Sequence, residues 1–118
     1  MADRADLRRV ALALPGASEE AGDPRYLVGG KQFVWTWRER VHPKRTKVPR
    51  PDVLAVRVAD LQDKEALIAS DPESFFTEPH YDGYAIVLVR LPAVSPEALA
   101  EVVEDSWRCV TSRGRARR

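Results

Sequence analysis

Leu7, Val10, Ala11 and Leu14 recur at i, i+3, i+4 and i+7, so residues 3–14 are expected to form an amphipathic helix. Pro15-Gly16 stops it, and ASEEAGDP (17–24) reads as a polar connection. RYLV and KQFVWTW are short β-rich runs separated by Gly29-Gly30, a pair that accepts the positive φ of a type I′ hairpin turn. In the second run Phe33, Trp35 and Trp37 alternate with Gln32, Val34 and Thr36. Three aromatics thus share a face, and the simplest expectation turns it toward the helices. Residues 38–52, RERVHPKRTKVPRPD, have three prolines and no periodicity and are expected to form a loop.

VLAVRV then reads as a strand ending near Val58. Asp60, with Asp63 three residues on, has the capping pattern of a helix DLQDKEALIAS whose Leu61, Leu67 and Ile68 point inward. Asp71-Pro72 repeats the start signal and predicts a further helical turn, DPESFF. YAIVLVRL is apolar on both faces, as suits a central strand. Ser95-Pro96 opens a long helix with Leu99, Val102, Val103, Ser106, Trp107 and Val110 in one stripe. The predicted order is α-β-β-β-α-β-α. Strands grouped between helices give an α+β fold, an antiparallel sheet with helices packed on one face.

The chain has 118 residues, the size of one domain, assigned to residues 1–112, with 113–118 expected to be a disordered basic tail. No apolar run approaches the roughly 20 residues that cross a bilayer, and the N-terminus has no apolar signal core. One cysteine, Cys109, excludes an internal disulfide and a cysteine-built zinc site. A cytoplasmic protein without membrane association is expected. The net charge of +1 conceals blocks of charge. Residues 38–50 carry six basic groups and one acidic, residues 51–107 three basic and twelve acidic, and residues 108–118 five basic and none acidic. Such blocks speak to partners.

Two stretches carry candidate chemistry. Arg38, Arg40, Lys44, Arg45, Lys47 and Arg50, with His42 among them, can neutralise phosphates from a wing-like loop, and the arginine tail can add to them. The alternative is a solvated loop that pairs with the acidic surface of 51–107. Trp35 and Trp37 would stack bases on an exposed hairpin, but alternation favours burial. The second stretch, FFTEPHYDGY, sets His80 beside Tyr81, Asp82 and Tyr84. A histidine beside a carboxylate can act as a general base or line a small-ligand pocket. No Ser/His/Asp or Cys/His pattern accompanies it, and Asp82-Gly83 is also an ordinary turn pair. His42 and His80 are the only imidazoles and neither has a ligand at useful spacing, so no metal and no cofactor are expected.

The residues VALALPG (10–16), GDPRYLVGGKQFVW (22–35), KEALIASDPESFFTEPHYDGYAIVLVRL (64–91) and LAEVVEDSWR (99–108) resemble the MmcQ/YjbR family of small bacterial proteins. The resemblance implies a frataxin/CyaY-like fold, a sheet backed by terminal helices, and it implies DNA binding. Frataxin-type iron binding does not carry over, because DRADLRRV is charge-balanced where an acidic ridge would be needed. The expected function is therefore non-enzymatic: weak, largely electrostatic DNA binding through the 38–50 loop. The alternatives are an interaction module for an unidentified protein and a small-ligand domain centred on the His80 loop.

Overall fold

The computed structural model describes residues 2–22, 24–40 and 47–116. Helix α1 (Arg4–Leu12) leads into strands β1 (Ala17–Glu20), β2 (Arg25–Val28), β3 (Lys31–Arg40) and β4 (Lys47–Arg57). Helix α2 (Leu61–Ser70), the two-residue β5 (Phe75–Phe76), a single 3₁₀ turn (Pro79–Tyr81), β6 (Ile86–Arg90) and helix α3 (Pro96–Ala116) follow. The six strands form one antiparallel sheet in the order β1-β2-β3-β4-β6-β5. The predicted seven elements are all present, in an α+β fold, with two short strands added.

The helix starts follow their sequence signals. Asp3 and Asp6 cap α1 reciprocally, and the Asp60 carboxylate accepts from the Asp63 amide at the head of α2. Gly29 and Gly30 adopt φ of 59° and 79°, the left-handed pair of a type I′ hairpin between β2 and β3. Leu7 and Ala11 of α1, Leu67 and Ile68 of α2, and Leu99, Val102 and Val103 of α3 meet in one core with Tyr26, Val34, Leu54, Val56, Val87 and Val89 of the sheet. All three helices thus cover the same face. Ser106 locks α3 down by donating from its buried Oγ to the Phe33 carbonyl at 2.9 Å.

Four expectations are corrected. The segment ASEE is a strand: it pairs with β2 from Ala17↔Val28 to Glu20↔Arg25, and Glu19 accepts from the Tyr26 hydroxyl at 2.8 Å. The DPESFF helical turn stops after Ser74, whose Oγ donates to Asp71, and Phe75-Phe76 instead pair with Val89 and Leu88. In α2 Leu67 and Ile68 pack on the core as expected, but Leu61 is 43% exposed and Lys64, 4% exposed, turns inward in its place.

The largest correction is to the 38–52 loop, most of which is strand. Residues 38–40 and 47–50 extend the β3–β4 ladder, with Trp37↔Arg50, Arg38↔Pro49, Glu39↔Val48 and Arg40↔Lys47 in register. β6 pairs with β4 only at Val53–Arg57, so this end of the hairpin runs beyond it as a two-stranded ribbon. That position reconciles the prolines with a strand, because no third strand requires their missing N–H. His42, Lys44 and Arg45 lie outside the described residues. Helix α3 continues to Ala116, through the first four residues of the expected tail, and Arg117 and Arg118 are outside the described residues.

Candidate nucleic-acid interface

The basic cluster acquires its geometry from strand pairing. Arg38 and Arg40 on β3 face Pro49 and Lys47 on β4, and Arg50 faces Trp37. Four cationic positions therefore fall within four consecutive register steps. Arg40 and Lys47 are register partners at the end of the β3–β4 ladder. Arg38 is exposed and Arg50 half-buried.

The aromatics of β3 do not sit where alternation alone suggests. Tyr26 pairs with Val34 and Leu27 with Gln32, so Phe33 is an extra residue in a bulge. Phe33 and Val34 are both fully buried in the helix-side core. Thr36 also faces the helices: it accepts from Arg4 of α1 at 2.8 Å and donates to the Pro24 carbonyl. Trp35 and Trp37 therefore point to the opposite face, which corrects their assignment to the helix-facing core.

On that open face two rings carry a guanidinium. Arg57 lies 5.5 Å from the Trp35 ring centre, and its Nε donates to the Gln32 carbonyl at 3.1 Å. Arg90 lies 3.8 Å from the Phe76 ring centre and donates to the carbonyls of Pro72 and Glu73. Trp37 meets Phe76 edge to face, with ring centres 6.1 Å apart. Below this layer Ala55 and Leu88 are 0% exposed although they stand outside the helix-side core. A recess of about 190 Å³ opens beside Trp35, lined also by Arg25, Gln32, Thr36 and Arg38.

Glu39 stands between Arg38 and Arg40 on β3, and the main acidic surface lies on the helices. Asp63 and Glu65 on α2 and Glu97, Glu101 and Asp105 on α3 are all exposed. On the open face Glu20 is in an ion pair with Arg25 at 3.6 Å. The acidic block thus lies largely on α2 and the first part of α3, while the basic residues from Arg108 onward continue α3.

The His80 stretch forms a turn around a buried amine. Lys64 Nζ donates to the Tyr81 carbonyl at 2.7 Å and the Tyr84 carbonyl at 3.1 Å. Burial lowers its pKa, and the nearby Asp82 carboxylate opposes that shift. His80 is exposed, its ring edge-to-face with Tyr81 at 5.1 Å, and its amide donates to Glu78. Asp82 accepts from Thr77 at 3.3 Å, and Tyr84 is 61% exposed. The four residues share a turn, but His80 and Asp82 are not joined as an acid–base pair by these contacts. A cleft of about 550 Å³ between α2 and α3, lined by Val58, Asp63, Leu67, Val102 and Cys109 among others, does not include His80. Among the described residues no three His, Cys, Asp or Glu side chains are grouped to hold a metal ion.

Sequence reasoning missed Lys64, Arg57 and Arg90. The signal for Lys64 was present: it stands three and four residues before Leu67 and Ile68, on their helix face. The two arginines are separated by more than thirty residues and meet the aromatics only through the β3-β4-β6-β5 order.

These features define a small α+β protein with a six-stranded antiparallel sheet, one face under helices and the other aromatic and cationic. The family model YjbR matches residues 12–109, and the chain belongs to that family. Uncharacterized protein Rv2570 of Mycobacterium tuberculosis (strain ATCC 25618 / H37Rv) is 36% identical over 113 residues, covering 91% of this chain and 87% of that protein. Uncharacterized protein Mb2600 of Mycobacterium bovis matches to the same extent. The crystal structure of Deinococcus radiodurans protein DR2400, described as a DUF419 domain, superposes with a TM-score of 0.72 at 25% identity, covering 97% of this chain and 82% of that one. No helix among the described residues is long and apolar enough to cross a membrane.

Proposed function

We propose that this protein binds DNA in the cytoplasm, without turnover, through the projecting basic end of the β3–β4 hairpin. The observation that carries this reading is the placement of Arg38, Arg40, Lys47 and Arg50 on four adjacent register steps, with Arg40 opposite Lys47. A polyanion laid across this end of the hairpin would release counterions at each phosphate it brings to a cationic position. The acidic surfaces of α2 and α3 would repel the same polyanion and so orient the molecule hairpin-first.

The reading is tested by changing Lys44, Arg45 and Lys47 together to Glu and measuring retention of a mixed-sequence duplex at moderate salt. Binding is expected to fall by more than tenfold, since each lost phosphate contact removes a counterion-release contribution. Unchanged binding sinks the proposal. A stoichiometric protein partner co-purifying with a chain that retains no DNA would favour the interaction-module reading instead.

A further inference from the structure

We infer that the open face of the sheet is a stacking platform for single-stranded DNA, with bases laid on Trp37 and on the guanidinium-capped rings of Trp35 and Phe76. The inference rests on the DNA-binding reading above and names the form of nucleic acid that the site takes.

Three observations carry it. First, Trp35, Trp37 and Phe76 occupy neighbouring positions on β3 and β5 across β4 and β6, and all point away from the helices. A row of π-surfaces on a sheet can receive successive bases only when the strand is unpaired, because a duplex hides its base faces. Second, Arg57 and Arg90 are laid over their rings and held there by backbone carbonyls. A planar cation fixed in this way stacks on a base, interacts with a phosphate, and gives up little side-chain freedom on binding. Third, Arg38 of β3 lines one recess together with Trp35 and Arg25, so cationic side chains stand at the edge of the platform. A backbone following the cationic end would pass the recess formed by Arg25, Gln32, Trp35, Thr36 and Arg38, which is large enough for a phosphate.

The occupant is DNA rather than RNA on the chemistry of the platform. Its accessible part is made of the Trp35, Trp37 and Phe76 rings with Arg57 and Arg90 laid over two of them, and none of these side chains accepts a hydrogen bond from a 2′-hydroxyl. Reading the ribose would require such a polar partner.

The test uses the full chain with fluorescein-labelled dT15, rU15 and a mixed-sequence duplex of equal length. Anisotropy gives the affinity, and intrinsic tryptophan emission is followed in parallel. The expected results are dT15 binding at least tenfold tighter than the duplex and at least as tightly as rU15, with tryptophan emission quenched on saturation. Trp37→Leu and Phe76→Leu are each expected to weaken dT15 binding about tenfold while leaving the salt dependence unchanged. A thermal melt establishes that each variant is folded. If either variant unfolds, the strand preference and the emission of the unaltered protein still decide.

Equal affinity for dT15 and duplex, or folded variants that bind dT15 undiminished, would overturn the stacking platform and leave the electrostatic hairpin standing. Absence of binding to any of the three overturns both readings. Tenfold preference for rU15 overturns the assignment to DNA. A concentration-dependent dimer that shields Trp35 and Trp37 from acrylamide, with no response to dT15, assigns the face to a second copy of the chain and also overturns the inference.

Discussion

Lys64 shows how one side chain can organise a turn twenty residues away. The residue is 4% exposed, and its amine donates hydrogen bonds to the carbonyls of Tyr81 and Tyr84, tying the PHYDGY turn to the first half of α2. Lys64→Met keeps an unbranched side chain, one atom shorter, but removes the amine that makes both hydrogen bonds. A loss of about 1–3 kcal/mol in urea unfolding is expected, with faster amide exchange over residues 78–85. Unchanged exchange there would mean that the amine does not hold the turn. Tyr26 gives a second reading at this scale. Burial, with the Glu19 carboxylate at its hydroxyl, pushes its pKa from 10.0 up to about 12. The unfolded chain releases this proton first, so the stabilisation is complete below pH 10 and is lost as pH rises toward 12. That loss is on the order of 2–3 kcal/mol. Tyr26→Phe should flatten this part of the alkaline stability curve. Lys64, with its lowered pKa, acts in the opposite sense, so the comparison is between the wild type and the Phe variant over the same pH steps.

Among the elements, the β3–β4 hairpin departs most from what the chain suggests. Period-two alternation joins Phe33, Trp35 and Trp37 on one face, and for a regular strand that is correct. The bulge at Phe33 breaks the parity, so Phe33 enters the helix-side core while both tryptophans turn to the open face. A bulge depends on the partner strand and leaves no mark in the alternation itself. The strand in 38–52 was hidden for a similar reason: prolines normally argue against a ladder, but Pro49 sits where β4 has one neighbour. By contrast, α1, α3 and the β2–β3 turn were legible because their caps, stripe and glycine pair are local signals. His80 was legible as a turn residue, and the lysine that secures the turn was not singled out. Arg40→Glu tests the ribbon directly. It replaces a cationic position by an anionic one and should weaken DNA binding while leaving the thermal melt unchanged. Stability and binding falling together would point to a structural defect instead.

At the scale of the molecule, a near-neutral chain is organised as a charged plate. The net charge is +1, yet residues 51–107 alone hold twelve acidic groups, many of them on the exposed sides of α2 and α3. Arg38, Arg40, Lys47 and Arg50 stand at one end of the β3–β4 ladder, and Arg57 and Arg90 lie across the open face of the sheet. Such a separation favours one orientation toward a polyanion and disfavours the reverse one. The decisive measurement is the salt dependence of binding to a mixed-sequence duplex. If Arg38, Arg40, Lys47 and Arg50 each meet a phosphate, log K falls against log salt with a slope of about −3.6, and reversing Arg40 and Lys47 to Glu flattens it by about two units. A slope near zero, or one that the reversals leave untouched, would contradict the assignment of DNA binding to this hairpin.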